Sequence, residues 1–204
     1  MIINGIIISA GFSRRMNNFK PLVIFNDNTF IQNIIVKLNT VCDQITIVTG
    51  YEGKELEDEI IQNLTKDKYI SIIKKIVFVF NHSFKKGMFG SIQCGISKMK
   101  NCDWAIIHLV DQPGLPQKFY SDFINEIDTK HNWIQPKYNN KYGHPILINK
   151  SLFGLILKEK IESNLKIVSK NKMFIKKIWE CDYKEILQDI DTEKDYQDLV
   201  KKRY

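Results

Sequence analysis

Cysteine is sparse in this chain, and its placement excludes more than it suggests. Cys42, Cys94, Cys102 and Cys181 form no C-x-x-C pair, which argues against a zinc knuckle or a dithiol redox couple. They read as free thiols of a reducing compartment. Long apolar runs are also missing. No segment approaches the ~20 residues that span a bilayer. The apolar start Ile2–Ile8 is too short for a signal peptide and leads into a glycine loop. A cytoplasmic protein without membrane contact is expected. There is no Walker A loop, and the second and third glycines of a dinucleotide fingerprint are absent. Repeats and linkers are absent too, so residues 1–204 read as a single domain.

Charge is present in excess of one sign. Lysine and arginine total 30 against 23 acidic residues, a net +7. A basic surface suits nucleic acid, an acidic partner or an anionic small substrate. Many of the lysines neighbour Ile and Asn, as on a solvated face, and no RNA-binding signature with interleaved aromatics is present. Nucleic acid is therefore not the expected partner.

Short apolar runs alternate with helical patterns. Ile2–Ile8, Gln44–Thr49, Lys75–Phe80 and Trp104–Leu109 read as strands, and Asn28–Val41, Glu52–Leu64, Gly87–Met99 and Pro116–Thr129 as helices. This alternation predicts a parallel sheet covered on both faces, with ligands beyond the carboxyl ends of the strands. Past residue 130 the pattern changes. Asn132–Lys137 and His144–Ile148 read as strands and Ser151–Leu157 as a short helix. A weak stretch (Ser163–Lys177), a short strand near Ile178–Cys181 and a closing helix over Glu193–Lys202 follow. These predict an antiparallel excursion in the C-terminal third.

Five constellations can carry chemistry. The first is Ser9-Ala10-Gly11-Phe12-Ser13-Arg14-Arg15-Met16 with Lys20, where backbone N–H groups and cations suit a polyphosphate. The second is Asp111-Gln112-Pro113 after a buried strand; Asp111 suits Mg²⁺ held against a phosphate, or a turn before Pro113. The third is Asp189-Ile190-Asp191-Thr192, in which Asp191 is either a second metal carboxylate or, like Thr192, a helix cap. The fourth is Gly143-His144-Pro145, whose histidine can simply orient a turn. The fifth is Lys85-Lys86-Gly87-Met88-Phe89-Gly90-Ser91, a basic glycine loop opening a helix, suited to a base or an anionic acceptor.

Taken in order, these motifs resemble the molybdenum cofactor nucleotidyltransferases of the MobA-like NTP transferase superfamily. Gly143-His144-Pro145 is similar to the cytidylyltransferase-like, MocA-like branch. The resemblance runs from Ile6 to about Leu199 and implies a Rossmann-like three-layer α/β/α fold. It implies that Ser9, Ala10, Gly11, Ser13, Arg14, Arg15 and Lys20 bind the nucleoside triphosphate, with Gly87, Met88 and Ser91 near the base. Lys20, Arg15 and Asp111 would carry catalysis, Asp111 and Asp191 would hold Mg²⁺, and His144 and Lys86 would face the acceptor. The implied reaction moves CMP from CTP to the phosphate of molybdopterin, with pyrophosphate leaving. A molybdoenzyme client is a further implied partner. The family commonly has serines after Gly-Met. Here Phe89 and Gly90 precede Ser91, and Phe89 is placed to alter base or pterin contacts. A guanylyltransferase, a sugar- or alcohol-phosphate nucleotidyltransferase, and a non-catalytic nucleotide- or cofactor-binding accessory protein are the alternatives.

Overall fold

The computed structural model describes residues 1–12, 16, 19–65 and 69–201. The first strand, β1 (Ile3–Ile8), is buried along its whole length. Such a run needs apolar partners on both faces, and it has them. Ile3 and Ile7 face one core cluster, while Ile6 and Ile8 face another.

A two-stranded hairpin follows, β2 (Ile24–Phe25) with β3 (Asn28–Thr29). Its turn residues Asn26 and Asp27 both have positive φ, 59° and 65°, as a tight hairpin turn requires. The helix expected over Asn28–Val41 is therefore shorter, α1 (Phe30–Leu38). Asn28 and Thr29 are drawn into the hairpin, and Thr29 caps α1 through a reciprocal capping box with Gln32.

Next come β4 (Gln44–Thr49), α2 (Gly53–Leu64), the one-turn α3 (Ile70–Ile73) and β5 (Ile76–Phe80). α4 (Met88–Ile96), β6 (Trp104–Leu109) and α5 (Gln117–Asn125) complete the alternating part. The rest comprises β7 (Trp133–Tyr138), β8 (Lys141–Tyr142), β9 (Ile146–Asn149), α6 (Phe153–Lys158), the one-turn α7 (Leu165–Val168), β10 (Lys176–Glu180) and α8 (Glu193–Lys201). Strand β9 starts two residues later than the expected His144. Gly143 and His144 spend their N–H groups on the Pro136 and Ile186 carbonyls, and Pro145 has none to give.

The eight-stranded sheet runs β10-β7-β9-β6-β1-β4-β5, with β8 paired to β7. β9 is antiparallel to both β6 and β7 and provides the excursion. β10 then returns parallel to β7. Helices α1, α2 and α5 cover one face, and α4 and α6 the other, giving the three-layer α/β/α architecture. Among the described residues no helix is long and apolar enough to cross a membrane.

The chain leaves β1 toward β4 on one side, and β6 pairs on the other. The sheet thus has a switch point between β1 and β6, where ligands collect in open α/β sheets. Ile8 and Leu109 are partners across these strands, so the segments after β1 and β6 emerge side by side. Because β9 is antiparallel to β6, its entry at Gly143-His144-Pro145 arrives at this same end.

Candidate active site

A cleft of about 250 Å³ lies at the switch point. Ser9, Ala10 and Gly11, then Lys20 and Asp111, and Gly87, Met88 and Ser91 contribute to its lining. The expected residues Ser13, Arg14 and Arg15 lie outside the described residues.

Ser9 is held by β4: its N–H and its hydroxyl both donate to the Val48 carbonyl, at 3.1 and 3.0 Å. Among the described residues no carbonyl receives the N–H of Ala10 or Gly11, so both remain available to an anion. Gly87 opens α4 at φ 116°, a conformation other residues rarely adopt. Phe84 and Met88 supply apolar surface beside it. Phe89, expected near base or pterin, is instead 3% exposed and packed in the core, because helical spacing turns it away from Met88.

Lys20 sits in a single 3-10 turn with Pro21 and is 7% exposed. Its Nζ is 2.8 Å from Asp191 Oδ1 and 4.0 Å from Asp111 Oδ2. One cation therefore gathers two carboxylates from segments about eighty residues apart. Burial pushes the Asp111 carboxyl up to about 6; Lys20 opposes this, and Asp189 and Asp191 add to it.

The carboxylate segments are tied together by backbone and amide. The Ile190 N–H donates to the Asp111 carbonyl at 2.9 Å. Gln112 Nε2 donates to the Ile186 carbonyl at 3.0 Å and to Asp189 Oδ1 at 2.8 Å. The capping role left open between Asp191 and Thr192 goes to Thr192. Its hydroxyl exchanges hydrogen bonds with Asp195, and the Asp195 carboxylate also accepts the Thr192 N–H at 2.8 Å. Asp191 is thereby left to face Lys20.

These residues fit a divalent cation. Asp111 Oδ1 is buried with no hydrogen-bond partner among the described residues, a costly state for a carboxylate oxygen. Mg²⁺ characteristically takes one or two carboxylates and completes its shell with substrate phosphates and water. Asp111 and Asp191 are the carboxylates that would supply that donor set. Among the described residues no cluster of three or more acidic, His or Cys side chains forms an all-protein cage.

His144 lies in a second cavity of about 700 Å³, whose lining includes Trp133, Gln135 and Lys176. Met88 lines both cavities and joins them. Burial pushes the His144 imidazole below its ordinary range, with Asp189 opposing. Lys86 is not part of either lining; it pairs on the surface with Glu162 at 3.4 Å. Sequence reasoning did not find Asn81, Phe84 or Trp133. The only early signal for Gln112 was its place inside the Asp-Gln-Pro motif.

The model of the MobA-like NTP transferase domain matches residues 5–176. The chain belongs to this family. It is a nucleotidyltransferase, and its similarity extends well beyond the matched segment. It is 25% identical to the molybdenum cofactor cytidylyltransferase of Escherichia coli K12, over 99% of this chain and 97% of that protein. It is 22% identical to a probable molybdenum cofactor guanylyltransferase of Bacillus cytotoxicus, over 96% and 95%. In structure the nucleotidyltransferase is similar to a Mycobacterium tuberculosis H37Rv protein crystallised with manganese. That likeness has a TM-score of 0.72 at 16% identity and covers 98% of this chain and 99% of the other.

Proposed function

We propose that this nucleotidyltransferase moves CMP from CTP to the terminal phosphate of a molybdopterin-type acceptor, with Mg²⁺ as its divalent ion. The observation that carries the reading is that Lys20 and Asp111 line one cleft and Lys20 draws Asp191 to them. An oxygen of the acceptor phosphate attacks the α-phosphorus of CTP; a new P–O bond forms as the bond to the departing pyrophosphate breaks. The attacking oxygen is already ionised, so no general base is needed. Lys20 neutralises charge on the transferring group, and the Ala10 and Gly11 N–H groups hold phosphate oxygens. Bound at Asp111 and Asp191, the metal would supply charge neutralisation and orientation of the triphosphate.

The second cavity suits the acceptor. It pairs the apolar Trp133 with the cation of Lys176, which matches a flat heterocycle carrying a phosphate. The neutral His144 faces it as a hydrogen-bonding group rather than a charge. Full-length similarity to a cytidylyltransferase supports CTP as the donor.

The test is a transfer assay with CTP, GTP, ATP and UTP, the molybdopterin acceptor and Mg²⁺, read by pyrophosphate release. Acceptor-dependent release with CTP is the expected result. Release with GTP alone would move the chain to the guanylyl branch. Binding without release would make it an accessory protein.

A further inference from the structure

Asn81 follows β5 directly and is 5% exposed. Its N–H donates to the Thr49 carbonyl at 2.9 Å, which fixes its backbone at the end of the sheet. Its side chain has two tasks. Oδ1 accepts the Ser83 N–H at 2.9 Å, and Nδ2 donates to Ser91 Oγ at 3.0 Å. A backbone N–H can only donate, so the amide orientation is not interchangeable: the NH₂ must face Ser91.

That arrangement decides what the Ser91 hydroxyl does. A serine hydroxyl has one proton to give and lone pairs to receive. At Ser91 a lone pair is engaged by Asn81, and the proton has to go elsewhere. Among the described residues no acceptor in the fold takes it. Ser91 is 2% exposed and lines the nucleotide cleft. Phe84 and Met88 line the same cleft, as do Lys20 and Asp111. The charged side chains suit phosphates and the apolar ones suit a base.

We propose that Asn81 is a positioning residue that makes Ser91 a hydrogen-bond donor toward the base, so that Ser91 selects a base presenting an acceptor there. The inference rests on the nucleotidyltransferase reading and extends it to base selection. Cytosine presents two adjacent acceptors on one edge, ring N3 and carbonyl O2. Guanine presents two adjacent donors, N1–H and N2–H, on the corresponding edge. Guanine's O6 acceptor lies where cytosine carries its N4 amine, so a donor at Ser91 that meets the N3 and O2 positions favours CTP over GTP.

The experiment inverts the polarity without changing the shape. Asn81→Asp replaces the NH₂ by a second acceptor, and the Ser91 hydroxyl turns to donate to it. The CTP:GTP ratio of kcat/KM and the ratio of dissociation constants are read for the wild type, Asn81→Asp, Ser91→Ala, Ser91→Thr and the double variant Asn81→Asp/Ser91→Ala. The expected loss of selectivity in Asn81→Asp is about tenfold or more, as for a polar group left without its partner. Ser91→Ala loses as much, the double variant loses no more, and Ser91→Thr keeps the wild-type ratio. A CTP:GTP ratio within twofold of wild type in folded Asn81→Asp overturns the proposal. So does an equal loss when Asn81→Asp is made in the Ser91→Ala background. If Asn81→Asp does not fold, an unchanged ratio in Ser91→Ala is the overturning result. A wild-type protein that binds no nucleoside triphosphate would instead overturn the nucleotidyltransferase reading, and this inference with it.

Discussion

Gln112 and Asp189 meet through a 2.8 Å hydrogen bond, though 77 residues separate them in the chain. The same amide nitrogen holds the Ile186 carbonyl, and Gln112 is 1% exposed. This side chain is the bolt between the loop bearing Asp111 and the loop bearing Asp191. Gln112→Leu removes both donations while keeping much of the volume. It should cost about 1–3 kcal/mol in stability, measured by denaturant unfolding. Divalent-ion affinity, read as the Mn²⁺- or Mg²⁺-dependent rise in melting temperature, should fall more than CTP affinity does.

Asp111→Asn should separate stability from activity. The folded state holds this carboxyl at about 6 against 3.8 for a solvated aspartate. Between those values the folded protein binds the proton more tightly than the unfolded chain. The ionised group therefore weakens the metal-free fold above pH 6, and the penalty is relieved as the pH falls from 6 toward 3.8. The shift corresponds to roughly 3 kcal/mol at most. The variant should melt higher than the wild type at pH 7.5, converge with it near pH 4, and be inactive in transfer at both. Melting curves across pH, without metal, check this.

His108 acts in the opposite sense. It is fully buried, with Nε2 2.8 Å from the Tyr120 hydroxyl and Nδ1 2.8 Å from the Leu109 carbonyl. The carbonyl only accepts, so Nδ1 carries the proton and Nε2 accepts from Tyr120. Burial holds the ring down at about 3, against 6.5 when solvated. The unfolded chain takes up a proton below pH 6.5 while the fold does not, so stability drains away as pH falls from 6.5 toward 3. The slope from this group is about 1.4 kcal/mol per pH unit. His108→Phe should be less stable at pH 7, because Tyr120 and Leu109 lose their partner, yet show a flatter stability profile between pH 6.5 and 5.

Gly143→Ala should fail sterically. A Cβ there would lie 2.5 Å from the Ile186 carbonyl oxygen and 2.6 Å from Ile186 Cβ. The obstacle is mostly backbone and a branched carbon, so neither can swing aside. The expected loss is about 2 kcal/mol or more. His144 follows Gly143, so the acceptor KM should rise as well, which a steady-state assay with varied acceptor would show.

What could be read in the sequence depended on whether the signal was local. Gln44–Thr49 and Trp104–Leu109 were legible to the residue. Each is a short run rich in Ile, Val, Thr or Trp with no helical spacing, as strands of a buried parallel sheet favour. The hairpin at Ile24–Thr29 was not legible as strands, since two-residue strands carry no period. Its Asn26-Asp27 turn was the available clue. Ser9 to Gly11, Lys20 and Asp111 could be gathered because strand ends in an alternating fold share one edge. Gln112 to Asp189 and Asn81 to Ser91 are side-chain contacts with no spacing rule behind them. Asp191 and Thr192 were equal candidates for the cap until the Asp195 hydrogen bonds distinguished them.

The dependence of Asp111 on Ile190 has a consequence for synthesis. All eight strands of the sheet lie before residue 181, yet Asp191, the Ile190 bridge to Asp111 and the α8 cap lie beyond it. During translation the cleft between β1 and β6 can take shape while the carboxylate that pairs with Lys20 is still inside the ribosome. A nascent chain arrested after β10 would own the cleft and one orphaned aspartate, Asp111. Competence for metal would arrive late and abruptly, with the docking of a single short segment.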